Sequence, residues 1–140
     1  MKKFTDKSTF SSALFTTMTK NDPIPANINL HQKSRVLEIE YNDGSHFEFS
    51  CEFLRVYSPS ADVRGHGPGQ AVLQTGKENV SIKQVEPVGN YAIKLVFDDG
   101  HQTGIYSWAY LYDLGNNREQ YWQEYLDALR NAGHARHVNE

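Results

Sequence analysis

Apolar and polar positions alternate most clearly in two stretches of the chain. Leu37, Ile39 and Tyr41 share one face of a strand running into Asp43-Gly44, and Ser45 to Phe49 resumes the alternation. Ile93, Leu95 and Phe97 repeat this ahead of Asp99-Gly100, followed by His101 to Tyr106. Asp-Gly between alternating strands is a strong hairpin signal, because the tight turn needs a residue at positive φ and glycine takes it freely. After each hairpin comes a short helical run, Ser50 to Leu54 and Ser107 to Leu111, each opened by a serine suited to capping. The pattern predicts a β-hairpin–helix unit used twice, at an offset of 56 residues (43 to 99) with one residue of slip.

Further strands are expected from Ala26 to His31 and from Val80 to Pro87. Asn116 with Glu119 reads as a capping box opening a last helix over about 117–132. On that helix Tyr121, Trp122, Tyr125, Leu126, Leu129 and Ala132 form an apolar stripe, and Gly133 ends it. Such a stripe suits the core, or an aromatic surface for a partner or a second copy of the chain. Residues 1–24 lack a continuous apolar run and read as a flexible leader, and 134–140 as a disordered tail, leaving one domain over 25–133. Ser58 to Gly76, rich in glycine and proline, is a long internal connection, and long connections are most often functional.

Composition narrows the function. Fourteen Lys and Arg against 17 Asp and Glu leave a net charge of −3, with no basic field for nucleic acid or anionic lipid. No stretch is apolar for long enough to cross a membrane as a helix. The single cysteine, Cys51, fits a reducing, cytoplasmic setting and reads as a buried inert thiol. His46 and Glu48 point the same way from one strand, and His-x-Glu is half of an iron-binding facial triad whose third ligand would be His101 or His31. The plainer reading is a wet outer face opposite Phe47 and Phe49. His66 lies in Arg64-Gly-His-Gly-Pro-Gly-Gln, where amides and a guanidinium could nest an anion, although the lysine and hydroxyl of a phosphate loop are missing. No nucleophile elbow or paired acid and base is evident.

Three segments together resemble a known family: Leu54 to Gly67 with its Ser-Pro-Ser-Ala loop, Val85 to Ile93, and Phe97 to Trp108 with Asp-Gly-His followed by Tyr-Ser-Trp. They are similar to the gamma-butyrobetaine hydroxylase-like N-terminal domain family, over roughly residues 25–115. The resemblance implies a small bacterial protein of unknown function. The same module precedes the catalytic jelly roll of gamma-butyrobetaine and trimethyllysine dioxygenases and is appended to some ATPases carrying iron–sulfur clusters. In the dioxygenases it resembles a zinc domain with three cysteines and a histidine. Those positions fall here on Ser58, Ser60, Val63 and His101, so only the histidine is kept and no structural zinc is expected. The Fe(II) and 2-oxoglutarate chemistry implied by that family belongs to the jelly roll, not to this module.

The expectation is an α+β domain: a mostly antiparallel sheet from two hairpin–helix units, packed with a C-terminal helix. It would act as a non-enzymatic accessory module binding a protein partner or a small anionic ligand, with no cofactor. Ser58, Ser60, Arg64, His66, His101, Tyr106 and Trp108 are the candidate site, with Arg64 as an anion fork and Tyr106 and Trp108 as either aromatic wall or core. A metal-linked role is the alternative, as iron bound through His46, Glu48 and His101, or as iron–sulfur delivery by a homodimer offering two copies of Cys51. A binder or small enzyme for a carnitine-like cation, caged by aromatic rings, is a third.

Overall fold

The fold is a computed structural model that describes residues 22–65 and 71–137. Strands β1 (Pro25–His31), β2 (Val36–Tyr41) and β3 (His46–Ser50) pair in that order as an antiparallel sheet. Helices α1 (Cys51–Val56) and α2 (Ala61–Arg64) follow. The pattern then starts again with β4 (Ile82–Val88), β5 (Ala92–Phe97) and β6 (Ile105–Ser107), a second antiparallel sheet. Helices α3 (Trp108–Asn116) and α4 (Arg118–Asn131) complete the order. The class is α+β, as expected, with each hairpin widened by a preceding strand into its own three-stranded sheet.

The repetition reaches single hydrogen bonds. Ser50 and Ser107 cap α1 and α3, accepting from the Phe53 and Tyr110 amides at 3.1 Å each. The first strand of each sheet slips register near its start, between Pro25 and Asn27 and between Ile82 and Gln84. Gly44 and Gly100 both adopt positive φ, at 90° and 93°, which their turns require. In each turn the aspartate accepts from an amide two residues on, Ser45 at 2.9 Å and His101 at 3.1 Å.

Each unit also holds the other. Arg55 of α1 donates to Asp99 in the second hairpin turn at 2.9 Å, and Tyr112 of α3 donates to Asp43 in the first at 2.6 Å. The Tyr41 hydroxyl donates to the Trp108 carbonyl, and the Tyr106 hydroxyl to the Leu54 carbonyl. Leu37, Ile39, Phe49 and Leu54 of the first unit and Ile93, Leu95, Phe97 and Leu111 of the second lie in one buried cluster.

Several boundaries differ from expectation. α3 runs on through Gly115, so Asn116 ends that helix and Asn117 precedes α4, its amide turned back onto Asp113. Tyr125 and Leu129 of α4 cluster with Val56 at the end of α1. Ile24 packs on the core, and the fold therefore takes in the last leader residue. His134 to His137 are held as well: Arg136 forks onto the buried Glu52 and lies over the Trp122 ring, and the His137 amide donates to Glu78. Residues 1–21 and 138–140 lie outside the described residues. Among the described residues no helix is long and apolar enough to cross a membrane.

Candidate functional site

Ser58, Ser60 and His101 meet in a polar knot where the segment after α1 crosses the strand entering β6. Ser58 is fully buried, and its hydroxyl lies 2.9 Å from His101 Nε2. The Ser60 amide also donates to Ser58 Oγ, at 3.2 Å. The Ser60 hydroxyl meets Thr103 Oγ1 at 2.7 Å and accepts from the Asp62 amide, while Thr103 reaches the Asp62 carboxylate. Gly104 passes so close that a Cβ there would stand 2.5 Å from Ser58 Oγ. Burial, helped by the nearby Arg55, holds the His101 pKa below the ordinary histidine range. Burial pushes the Asp99 carboxyl upward, but Lys77, the His101 amide and Arg55 together bring it down to about 2.

These residues do not suit a tetrahedral zinc ion. Val63 is a buried hydrophobic side chain with no donor, and the hydroxyls of Ser58 and Ser60 and the His101 imidazole already bond within the knot. Nor is the knot a nucleophile and base at a surface, since Ser58 has no exposure.

The remaining candidates scatter. Tyr106 is fully buried and Trp108 nearly so, with the indole donating to the Asn90 carbonyl at 2.8 Å. Both belong to the core, which leaves no aromatic wall or cation cage at those positions. Cys51 is buried, and burial pushes its thiol up to about 11. His46 and Glu48 stand on the first sheet, where His31 and His46 both contact Glu38, whereas His101 sits in the knot. His66 lies outside the described residues.

Among the described candidates, Arg64 alone lines the following groove. A groove of about 480 Å³ runs between α2, the segment 71–74 and helices α3 and α4. Its wall is built from Tyr57, Tyr110, Tyr121 and Tyr125. The Tyr110 hydroxyl donates to the Tyr57 carbonyl and the Tyr57 hydroxyl to the Tyr121 carbonyl, each at 2.6 Å. Tyr125 donates to the Gln74 carbonyl and Tyr121 to the Asp113 carboxylate. With the polar ends tied down, the rings are set in place before any ligand arrives. Val72 and Leu73 border the groove and are exposed, 54% and 37%. Arg64 lies over the Tyr110 ring at 5.9 Å, and Asp113 and Glu124 line the groove from α3 and α4. The sequence reading missed this wall, although Tyr121 and Tyr125 were visible in the aromatic stripe.

A duplicated hairpin–helix module carrying a preformed aromatic groove is the class that fold and site define. The chain belongs to the family described as gamma-butyrobetaine hydroxylase-like, N-terminal, which matches residues 28–112. It is 51% identical to a protein known from an NMR solution structure, with a TM-score of 0.73 over 90% of this chain and 94% of that one. A second NMR solution structure is similar at 47% identity and a TM-score of 0.72, over 84% and 93% of the two chains. A crystal structure from Acidithiobacillus ferrooxidans ATCC 23270 is similar at 42% identity and a TM-score of 0.56, over 65% of this chain and 91% of that one. That protein is described as one of unknown function in the DUF971 family. No curated protein matches the chain.

Proposed function

We propose that this protein is a non-enzymatic accessory module that binds a segment of a partner polypeptide in the tyrosine-lined groove. The single observation that carries this reading is the groove itself, whose aromatic wall is held by hydrogen bonds and whose border carries exposed Val72 and Leu73. Tyrosine-rich surfaces with apolar neighbours are favoured anchors for protein partners. Charge shapes the occupant: Arg64 comes from α2 while Asp113 and Glu124 come from α3 and α4. A fitting segment carries apolar side chains for the tyrosines, with an acidic group to meet Arg64. A bacterial cytoplasmic setting suits a chain with one buried thiol and a net charge of −3.

Within this reading the Ser58–His101 knot takes over the bracing that zinc gives the related dioxygenase domains. It joins the segment after α1 to the second unit and so fixes one side of the groove. The buried Cys51 thiol gives cluster delivery no accessible ligand.

Selection from a displayed library of random peptides tests the groove reading. Peptides enriched on the full chain should combine apolar residues with Asp or Glu, and Arg64→Glu should turn the selected charge to Lys or Arg. Leu73→Asp should abolish enrichment, and Ile105→Asp, at an exposed apolar position in β6, should leave it unchanged. Failure to enrich any peptide, or the same peptides on all variants, would contradict the reading. Enrichment lost only in the presence of free phosphate or a small carboxylate would instead indicate a small anionic ligand.

A further inference from the structure

The outer face of the first sheet carries a second constellation that shares no residue with the groove. β2 lies between β1 and β3, and the alternation that buries Leu37 and Ile39 turns Glu38 and Glu40 outward. The register sets Glu38 directly opposite Glu48 and Glu40 opposite His46. His31 ends β1 beside them. Glu38 Oε1 lies 2.8 Å from His31 Nε2, and Glu38 Oε2 lies 2.5 Å from His46 Nε2. One donor atom each from Glu38, His46 and Glu48 falls within 4.8 Å of the others.

Like charges placed directly opposite on a sheet destabilise it unless a cation lies between them. In the second sheet the position equivalent to Glu38 is Lys94, which faces Ile105 on β6 and pairs with Glu86 on β4 at 3.4 Å, so no two carboxylates stand opposite there. The first sheet has a carboxylate there instead, with imidazoles around it. Imidazole nitrogen and carboxylate oxygen are the donor set of borderline divalent ions, at bond lengths near 2.0–2.2 Å. Neighbouring donors on one ion are then roughly 3 Å apart, so rotamer changes of about an ångström would close the trio on it.

We propose that Glu38, His46 and Glu48, with His31 as a fourth donor, form a binding site for a divalent first-row transition metal on the outer face of the first sheet. The ion takes the place of the hydrogen bonds the two imidazoles now make to Glu38. The three strands preset the donors because the sheet fixes their backbones. Neither the groove nor the Ser58–His101 knot has to change for this site to fill.

Calorimetric titration of the full chain with Zn(II) is the test, with thermal unfolding as the check that each variant folds. The expected result is saturable binding of one ion per chain, weakened at least about tenfold in both Glu38→Gln and His46→Gln. His134→Gln, an exposed histidine outside the cluster, should bind like the parent. Cobalt(II) should broaden the ring signals of His31 and His46 and spare His101. Absence of saturable binding, equal binding by the Glu38 and His46 variants, or equal loss in the His134 variant would overturn the proposal.

Discussion

The two hairpin–helix units follow the same backbone plan and have been put to different ends. In the first, the Asp43 carboxylate is tied to the other unit by the Tyr112 hydroxyl, and the outer face gathers His31, Glu38, His46 and Glu48. In the second, the Asp99 turn is clasped by Arg55 and Lys77, and the residue after its glycine, His101, is buried in a polar knot. The difference teaches where function can be added to such a fold. The repeated strands are committed to the shared core, so the groove arises where the repeat ends, along α3 and in the segments that follow α1 and α3. Tyr57, Arg64 and Leu73 come from the first of these, and Tyr121, Glu124 and Tyr125 from the second.

The sharpest way to break the comparison is to cut equivalent core positions. Ile39 and Leu95 are both fully buried in the common cluster. Truncation of either to alanine should cost about 2–5 kcal/mol, read from urea unfolding. Both should lower one cooperative transition, because the units share a core. Two separated transitions in either variant would show units that fold independently.

The cross-unit ties come next, and they should not be equal. Arg55→Ala leaves the partly buried Asp99 with one cation and also loses a bond to Gln74, and should cost about 1–3 kcal/mol. Tyr112→Phe removes a neutral donor from the exposed Asp43 turn and should cost about 0.5–1.5 kcal/mol. Equal losses in the same urea measurements would mean that the two turns are anchored alike after all.

Acid separates the units by sign. Burial keeps the folded His101 pKa low, so the unfolded chain takes up that proton first and stability falls as pH drops below the ordinary histidine range. Above that range the contribution is fully present. Glu38 raises the His46 pKa, so that group favours the folded state in acid and loses its effect as pH rises, but it is exposed and its contribution is screened. Asp99, held near 2, loses its contribution only in stronger acid. Unfolding midpoints compared at about pH 7.5 and about pH 5.5 should therefore fall in acid, and His101→Asn should flatten the difference. A gain of stability in acid would put the first unit's histidine in control.

The smallest expected effect is none. In the Glu38→Gln variant, which lacks the proposed outer-face site, dialysis against a chelator should leave the urea midpoint unchanged, because the knot is held by hydroxyls and an imidazole bonded to one another. A drop would reveal a tightly bound structural metal.

Much of the fold was legible because it rests on local chemistry. Gly44 and Gly100 mark turns that need positive φ, and Ser50 and Ser107 cap the helices that follow. The site was less legible because its parts are distant in sequence: the Tyr57 hydroxyl bonds the Tyr121 carbonyl across 64 positions. Tyr106 and Trp108 show the ambiguity of aromatic residues, which suit a wall or a core equally until burial is known. The end of α3 was hidden because Asn116 with Glu119 reads as a capping box, yet Leu114 is buried and α3 continues through Asn116. Glu38 could have been found. The pair His46 and Glu48 was already in view, and the loop Asn42-Asp43-Gly44, closed by Tyr41 and Ser45, sets Glu38 opposite Glu48, whereas a two-residue turn would have set it opposite Phe49.

The central claim is that the binding surface lies in the segments where the repeat ends. Amide shift mapping of the full chain with a peptide enriched on it tests this most directly. The account predicts shifts gathered in residues 57–65, 71–74 and 110–128, the segments that form the groove. Shifts gathered instead on strands β1 to β3 or β4 to β6, with the groove tyrosines unmoved, would contradict it.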